Sequence, residues 1–369
     1  MDMPGLHTDI WEVVLDNLVA SDKKQTAASL SLAHRNLRLP SQRALFRCLK
    51  FTGGTRSGQP GTSREVVQNL RNEANSRLRQ YVREVEIQNC LLERHWAYDS
   101  DESDDESKEL DLTCLQVLTL LEHLPHLFSL KLAHLPLEGD TLERLFGKCS
   151  NLTNVELGYC TWNRNDSDED AHTVISHSIT SVKVNYRVPR GGCTRPGGLI
   201  QIPAMLRAAT ALIHPAQIKH LSLLAYPGLE QLLAQLAASK SPFLQLNSLN
   251  ITCPPADAAT DIVSILRMCP VLEELSLDRL DYARRGGQGG PPSQKYEQES
   301  IHNICCTLTT TKTLSTGPGG GLLPALKSFT GSAQEAIALL NCTLAKITHL
   351  ELHRAFERRT LGDVLEGRS

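Results

Sequence analysis

Ile218-Lys219-His220-Leu221-Ser222-Leu223, Leu246-Asn247-Ser248-Leu249-Asn250-Ile251 and Leu272-Glu273-Glu274-Leu275-Ser276-Leu277 decide the fold. All three obey one rule: aliphatic, two others, aliphatic, one other, aliphatic. Their starts are 28 and 26 residues apart. Aliphatics at positions four and six of a short run predict a strand with one face turned inward. The same rule is met at Val82-Val85-Ile87, Leu127-Leu130-Leu132, Leu152-Val155-Leu157, Ile179-Val182-Val184 and Ile347-Leu350-Leu352. Leu326-Phe329 is a weaker copy that ends at Gly331. The chain holds 59 Leu, 15 Ile and 16 Val in 369 residues, for which roughly 2 chance matches are expected. The excess is a repeat.

A strand of this kind leaves an apolar edge that only its neighbour can cover, so the units must stack. Helix-period segments lie between the strands, at Leu112 to Leu124, Thr141 to Cys149, Gly228 to Ser239, Asp257 to Cys269 and Ala333 to Cys342. Several join the next strand alike: Leu124, Cys149 and Cys269 each stand three residues before a strand's first leucine. A small thiol there fits the narrow junction between helix and turn. Zinc ligation is the alternative reading of those cysteines, and the repeat phase favours packing.

Composition narrows the class. Aromatics make up 5% of the chain and apolar residues 41%, which suits stacked leucine-based units more than one large core. With 38 basic and 41 acidic residues the net charge is −3, so no global positive field draws the chain to nucleic acid or to an anionic membrane. No apolar run reaches the roughly 18 residues of a membrane span. The acidic start Met1-Asp2-Met3-Pro4 is unlike a secretory signal. The 11 cysteines contain no Cys-x-x-Cys pair, and Cys305-Cys306 reads as half-buried thiols. Reduced thiols fit a cytoplasmic or nuclear setting.

The longer gaps between strand starts hold insertions. Asp99 to Asp111 carries eight acidic residues against one lysine, and self-repulsion predicts a disordered excursion. Asn163 to Asp170 is a shorter acidic loop. Arg284 to Pro292 and Thr316 to Gly321 are glycine-rich and lack the lysine step of a phosphate-binding loop.

At the front, Leu6, Ile10, Val14 and Leu18 recur once per helical turn, widened by Trp11 and Leu15. Further amphipathic runs follow at Thr26 to Leu37 and Pro40 to Leu49, and Thr52 to Ser63 reads as a connector. Three helices in so short a segment form too small a core to stand alone, which hints at a docking module.

The repeat region resembles the leucine-rich-repeat family, and the front resembles the F-box family, especially fungal members that pair the two. Leu6, Asp9, Ile10, Val14, Leu15 and Leu18 follow the F-box pattern, as do Ser31-Leu32-Ala33-His34-Arg35 and Leu37. Ser41-Gln42-Arg43-Ala44-Leu45-Phe46 resembles that family's run into the first strand. His7 stands where the family has proline, and His34 where it has cysteine. The resemblance implies an α/β chain with a three-helix F-box-like module at 1–50, a flexible linker at 51–64 and a degenerate leucine-rich-repeat solenoid at 65–357. Insertions near 97–111, 163–170 and 283–322 are expected to be disordered, and 358–369 forms a tail. It further implies a non-catalytic substrate receptor of a Skp–cullin–F-box ubiquitin ligase, with no cofactor or metal. Leu6, Ile10, Trp11, Val14, Leu18, Leu32 and Leu37 would meet a Skp-type adaptor, which leads to a cullin, and the repeats would hold a protein substrate. A repeat scaffold without a ligase role is the alternative.

Side chains between the strand aliphatics are expected on one open face. Lys131, Glu156, Lys183, His220 and Glu274 are candidate substrate contacts there, with Tyr159, Trp162, Tyr186 and Tyr226 as an aromatic rim. Enzyme readings lack support, because no His-x-x-x-His in a helical setting and no Gly-x-Ser-x-Gly elbow occurs.

Overall fold

A computed structural model describes residues 10, 13–15, 20–33, 35–52, 61–88, 117–133, 135–138, 141–158, 160–163, 178–187, 202–226, 228–252, 256–278, 294–314, 322–343 and 345–352. The chain forms two compact units, Met1–Glu156 with Trp162–Glu169, and Leu157–Thr161 with Asp170–Ser369.

In the first unit, α1 (Ala20–Ala33) packs against α2 (Arg35–Arg47), which leads directly into β1 (Cys48–Thr52). Then come α3 (Gly61–Arg71), the single turn α4 (Ser76–Arg79), β2 (Glu84–Gln88), helical residues 117–121 and β3 (Ser129–Ala133). After β4 (Pro136–Glu138) and α5 (Thr141–Lys148), the unit closes within β5 (Asn154–Gly158). β4 pairs with β6 (Thr161–Asn163) in a separate two-stranded sheet. The strand order is β1-β2-β3-β5. Leu49, Val85 and Leu130 lie side by side at position four, and Phe51, Ile87 and Leu132 at position six.

The second unit alternates strand and helix: β7 (Ser181–Arg187), α6 (Ile202–Leu212), β8 (His220–Tyr226), α7 (Leu229–Ala238), β9 (Ser248–Thr252) and α8 (Ala259–Arg267). β10 (Glu274–Asp278), α9 (Gln294–Leu314), β11 (Ser328–Gly331), α10 (Ala333–Cys342) and β12 (His349–Leu352) complete it. Strands β7 to β12 run in chain order, and every neighbouring pair is parallel and in register.

Two hydrogen-bond patterns convert the sequence rule into this stack. The carbonyl three residues before position one accepts from its N–H: Leu124 from Leu127 at 3.3 Å, Cys149 from Leu152 at 3.0 Å, Leu323 from Leu326 at 3.2 Å. That turn ends each helix-to-strand junction at the same place. The position-two carbonyl then accepts two N–H groups of the next repeat. Lys219 O receives Asn247 N and Ser248 N, and Asn247 O receives Glu273 N and Glu274 N. Backbone polar groups at the strand entrances are thereby satisfied while positions one, four and six are buried in β2, β3, β5 and β7 to β11; in β12, at the end of the sheet, Leu350 is exposed.

Cys149 and Cys269 occupy the junction as packing thiols. Both are buried, and their Sγ atoms lie 3.5 Å from Leu121 O and 3.0 Å from Ile265 O. Burial, with the Glu122 carboxylate second, pushes the Cys149 thiol up to about 11, and burial pushes Cys269 to about 12. Gly331 stands where position six would be aliphatic because Phe329 has taken the space: a Cβ there would lie 2.5 Å from its ring.

The structure departs from the sequence reading in four places. β1 is a repeat strand that begins inside the segment read as helical, and α2 runs through Pro40, where a new helix was expected. Pro40 is buried, so its packing offsets the hydrogen bond its ring cannot make. The connector read at 51–64 is bounded by β1 ending at Thr52 and α3 beginning at Gly61. Finally, residues 294–314 of the insertion read as disordered form α9, a 21-residue helix that packs on α8 and α10. Insertion residues 97–111, 164–170, 283–293 and 315–321, and the tail 358–369, lie outside the described residues. No helix among the described residues is long and apolar enough to cross a membrane.

Candidate functional site

The exposed apolar surface is concentrated at the front of the chain. Among the described residues eight large apolar side chains are exposed, and five of them are Ile10, Val13, Val14, Leu32 and Leu39. Ile10 is 46% exposed and Val14, one turn on, 44%, whereas Leu15 is 1% exposed. One side of this helical stretch therefore faces inward through Leu15, and the Ile10–Val14 side faces solvent. Leu15 does not widen the exposed stripe as the periodicity had implied. Leu32, near the end of α1, is 89% exposed. Leu37 is half-buried, and Leu39, which the sequence did not single out, is exposed. The side chains of Leu6, Trp11 and Leu18 lie outside the described residues.

The open strand face differs between the units. In the first, position five carries Lys50, Glu86, Lys131 and Glu156 on successive strands. Lys50 Nζ lies 3.3 Å from Glu86, and Lys131 Nζ lies 3.2 Å from Glu86 and 3.5 Å from Glu156. Partial burial opposes the charge of Glu86, yet Lys131 and Lys50 outweigh it and hold its carboxyl below the usual value. Burial likewise opposes the charge of Lys131, and Glu86 and Glu156 raise its ammonium above the usual value. Lys131 and Glu156, read as substrate contacts, are thus engaged with each other along an alternating-sign row.

In the second unit the same row reads Lys183, Ser222, Asn250, Ser276, Thr330 and Glu351. Its four middle members are short and neutral. His220 and Glu274 are exposed in the position-three row, with Ser248 between them. They do not meet, since each strand step is roughly 4.8 Å. Lys183 is exposed on β7. Trp162 lies on β6, Tyr186 on β7 and Tyr226 on β8, but these side chains and Tyr159 lie outside the described ones, as does any aromatic rim. Ser222 and Thr330 were passed over because short hydroxyls look alike in loops and strands, and the register alone places them in one row, next to Asn250 and Ser276 respectively.

No family model matches the sequence, and no curated protein matches it. Among solved structures the chain is similar to the protein of a TLR13–ssRNA13 complex, at 14% identity and a TM-score of 0.30. That match covers 84% of this chain and 34% of the other, so this chain spans about a third of its neighbour's length.

Proposed function

We propose that the chain is a substrate-receptor subunit of a Skp–cullin–F-box ubiquitin ligase. The observation that carries this reading is the solvent-facing apolar set Ile10, Val14, Leu32 and Leu39 in the helical segments ahead of the first repeat strand. An apolar helix face of this kind is suited to a groove in an adaptor protein. The adaptor would connect it to a cullin, and the repeat face would hold a protein substrate close to the charged enzyme, raising its effective concentration. No group of this chain need perform chemistry, and neither nucleic acid nor membrane is a partner in this reading.

The test is titration of the full chain with a purified Skp-type adaptor. Wild type binds, and Ile10→Asp or Leu32→Asp weakens binding by about tenfold or more, with circular dichroism unchanged. Both positions are exposed, so a charge there costs little folding stability. A second reading is a repeat scaffold that keeps the module without adaptor binding, and His7 in place of the family's proline favours it. Wild-type chain that shows no binding selects that reading.

A further inference from the structure

The second unit ends on a strand unlike the others. β12 is last in the strand order of its sheet, and among the described residues it pairs with β11 alone. From β2 to β11 no side chain at position four is more than 2% exposed, whereas Leu350, at that position on β12, is 42% exposed. His349 and Glu351 beside it are exposed, and Leu352 is half-buried. Each repeat leaves an apolar edge for the next unit to cover, and at Leu350 that edge is open. The backbone points the same way. Thr348 N and His349 N both donate to Lys327 O, at 2.9 and 3.0 Å, so His349 turns its polar groups toward β11. Backbone groups alternate sides along a paired strand, which turns the N–H and C=O of Leu350 to the outer edge. An edge of that kind is a template for one more strand.

A second copy of β12 matches this edge in one antiparallel register. Leu350 and Leu352 share the inner face and His349 and Glu351 the open face, so an added strand must keep the two faces aligned. Centring the pair on Glu351 sets two carboxylates opposite each other. Centring it on His349 sets two imidazoles opposite each other and Leu350 against Thr348. Centring it on Leu350 sets leucine against leucine and His349 against Glu351 on both sides, where an imidazole N–H donates to a carboxylate. Complementary pairs directly across two strands stabilise them, and like charges there destabilise them. A two-fold axis through Leu350 uses the same patch on both copies, so the assembly closes at two.

We infer that two copies of this chain join edge to edge through β12, antiparallel and centred on Leu350, as a homodimer. The inference is independent of adaptor docking and is measured on the full chain alone. Sedimentation is followed from about 0.1 to 50 µM chain. Wild type passes from monomer to dimer across that range. Leu350→Asp, at a position already exposed, keeps the chain monomeric with its melting curve unchanged. His349→Glu sets carboxylates against each other on both sides and weakens dimerisation about tenfold. The His349→Glu/Glu351→His exchange restores the dimer, because the complementary pairs re-form with their places swapped. Under mild oxidation Leu350→Cys links the two copies at position 350, since a hydrogen-bonded antiparallel pair sets its Cα atoms roughly 5.5 Å apart and a disulfide spans about 4.4–6.8 Å. Peptide mass spectrometry identifies that bond, and Thr348→Cys, which faces Leu352 of the second copy, does not form it. Wild type that stays monomeric at the highest concentration overturns the inference, and protection of the Leu350 amide from exchange in that monomer assigns the edge to residues beyond Leu352 instead. A dimer that survives Leu350→Asp lies on another surface and overturns it too. An exchange variant that stays monomeric overturns the register.

Discussion

At the scale of single residues, the same chemical group has different fates according to its place in the repeat. Cys149 and Cys269 fill helix–strand junctions, where burial leaves the thiolate no compensation and the thiol titrates near 11 and 12. Cys48 and Cys306 are exposed, and Cys306 Sγ lies 3.4 Å from His302 Nε2. Thiolate is the reactive form. Brief treatment of the native protein with iodoacetamide at pH 8, read by peptide mass spectrometry, should modify Cys48 and Cys306 and leave Cys149 and Cys269 intact. Early labelling of either junction cysteine contradicts the packing role. That role was legible in the sequence because the thiols repeat in phase with the strands. The Gly331 exception was not, since only the position of the Phe329 ring shows why an aliphatic is missing.

Elements whose identity rests on periodicity were readable, and those held by tertiary packing were not. α10 matches its sequence range because Ser332 caps it and Glu335 returns the bond in a capping box, a purely local signal. α9 carries threonine at positions 307, 309, 310, 311 and 313 and is flanked by glycine-rich sequence, so propensity argues against it. Its hydroxyls are absorbed internally: Thr307, Thr309 and Thr310 donate to the carbonyls four residues back at 2.7, 2.8 and 2.8 Å. Ser300, Ile304 and Leu308 form its buried line, and Asn303 donates to Ala256 O at 2.9 Å. If packing holds this helix, Ile304→Ala destabilises the protein by about 2–5 kcal/mol. Chemical denaturation measures that loss, whereas Thr309→Ala, at an exposed position, should have little effect. A neutral Ile304→Ala would mean that α9 contributes nothing to its unit. β1 was missed for a simpler reason: Phe51 occupies a slot where the rule admitted only aliphatics.

Over the molecule as a whole, the repeat predicts where strands lie but not what their open face does. Side-chain identity at positions three and five was visible; pairing across strands required the register. Lys131 and Glu156 looked like substrate contacts in isolation, and in register they complete Lys50–Glu86–Lys131–Glu156. The apolar stripe at the front was legible as a period, and its exposure was not, because a helix of that pattern can equally face its own bundle. Ile10 and Val14 turned outward and Leu15 inward only once the packing was known.

The charged row also sets the pH response of the first unit. Glu86 has a folded-state carboxyl below its ordinary 4.5, so its stabilisation is present above that value and disappears as pH falls through the lowered one. Lys131 is raised above its ordinary 10.5, so its share is present below that value and is lost as pH climbs through the raised one. Between those limits the row contributes a plateau. The pairs are partly solvated, so each contributes about 0.2–1 kcal/mol, and less at high salt. Melting temperature followed against pH should therefore show a shallower acid decline in Glu86→Gln than in wild type, and a shallower alkaline decline in Lys131→Met. The double variant should lose less than the sum of the singles, because each single leaves its partner's charge without the main ion pair. Strict additivity, or an acid limb unchanged by Glu86→Gln, would show that these side chains stand side by side without coupling. The alternating row would then be a solvated surface, available to a charged partner instead of closed on itself.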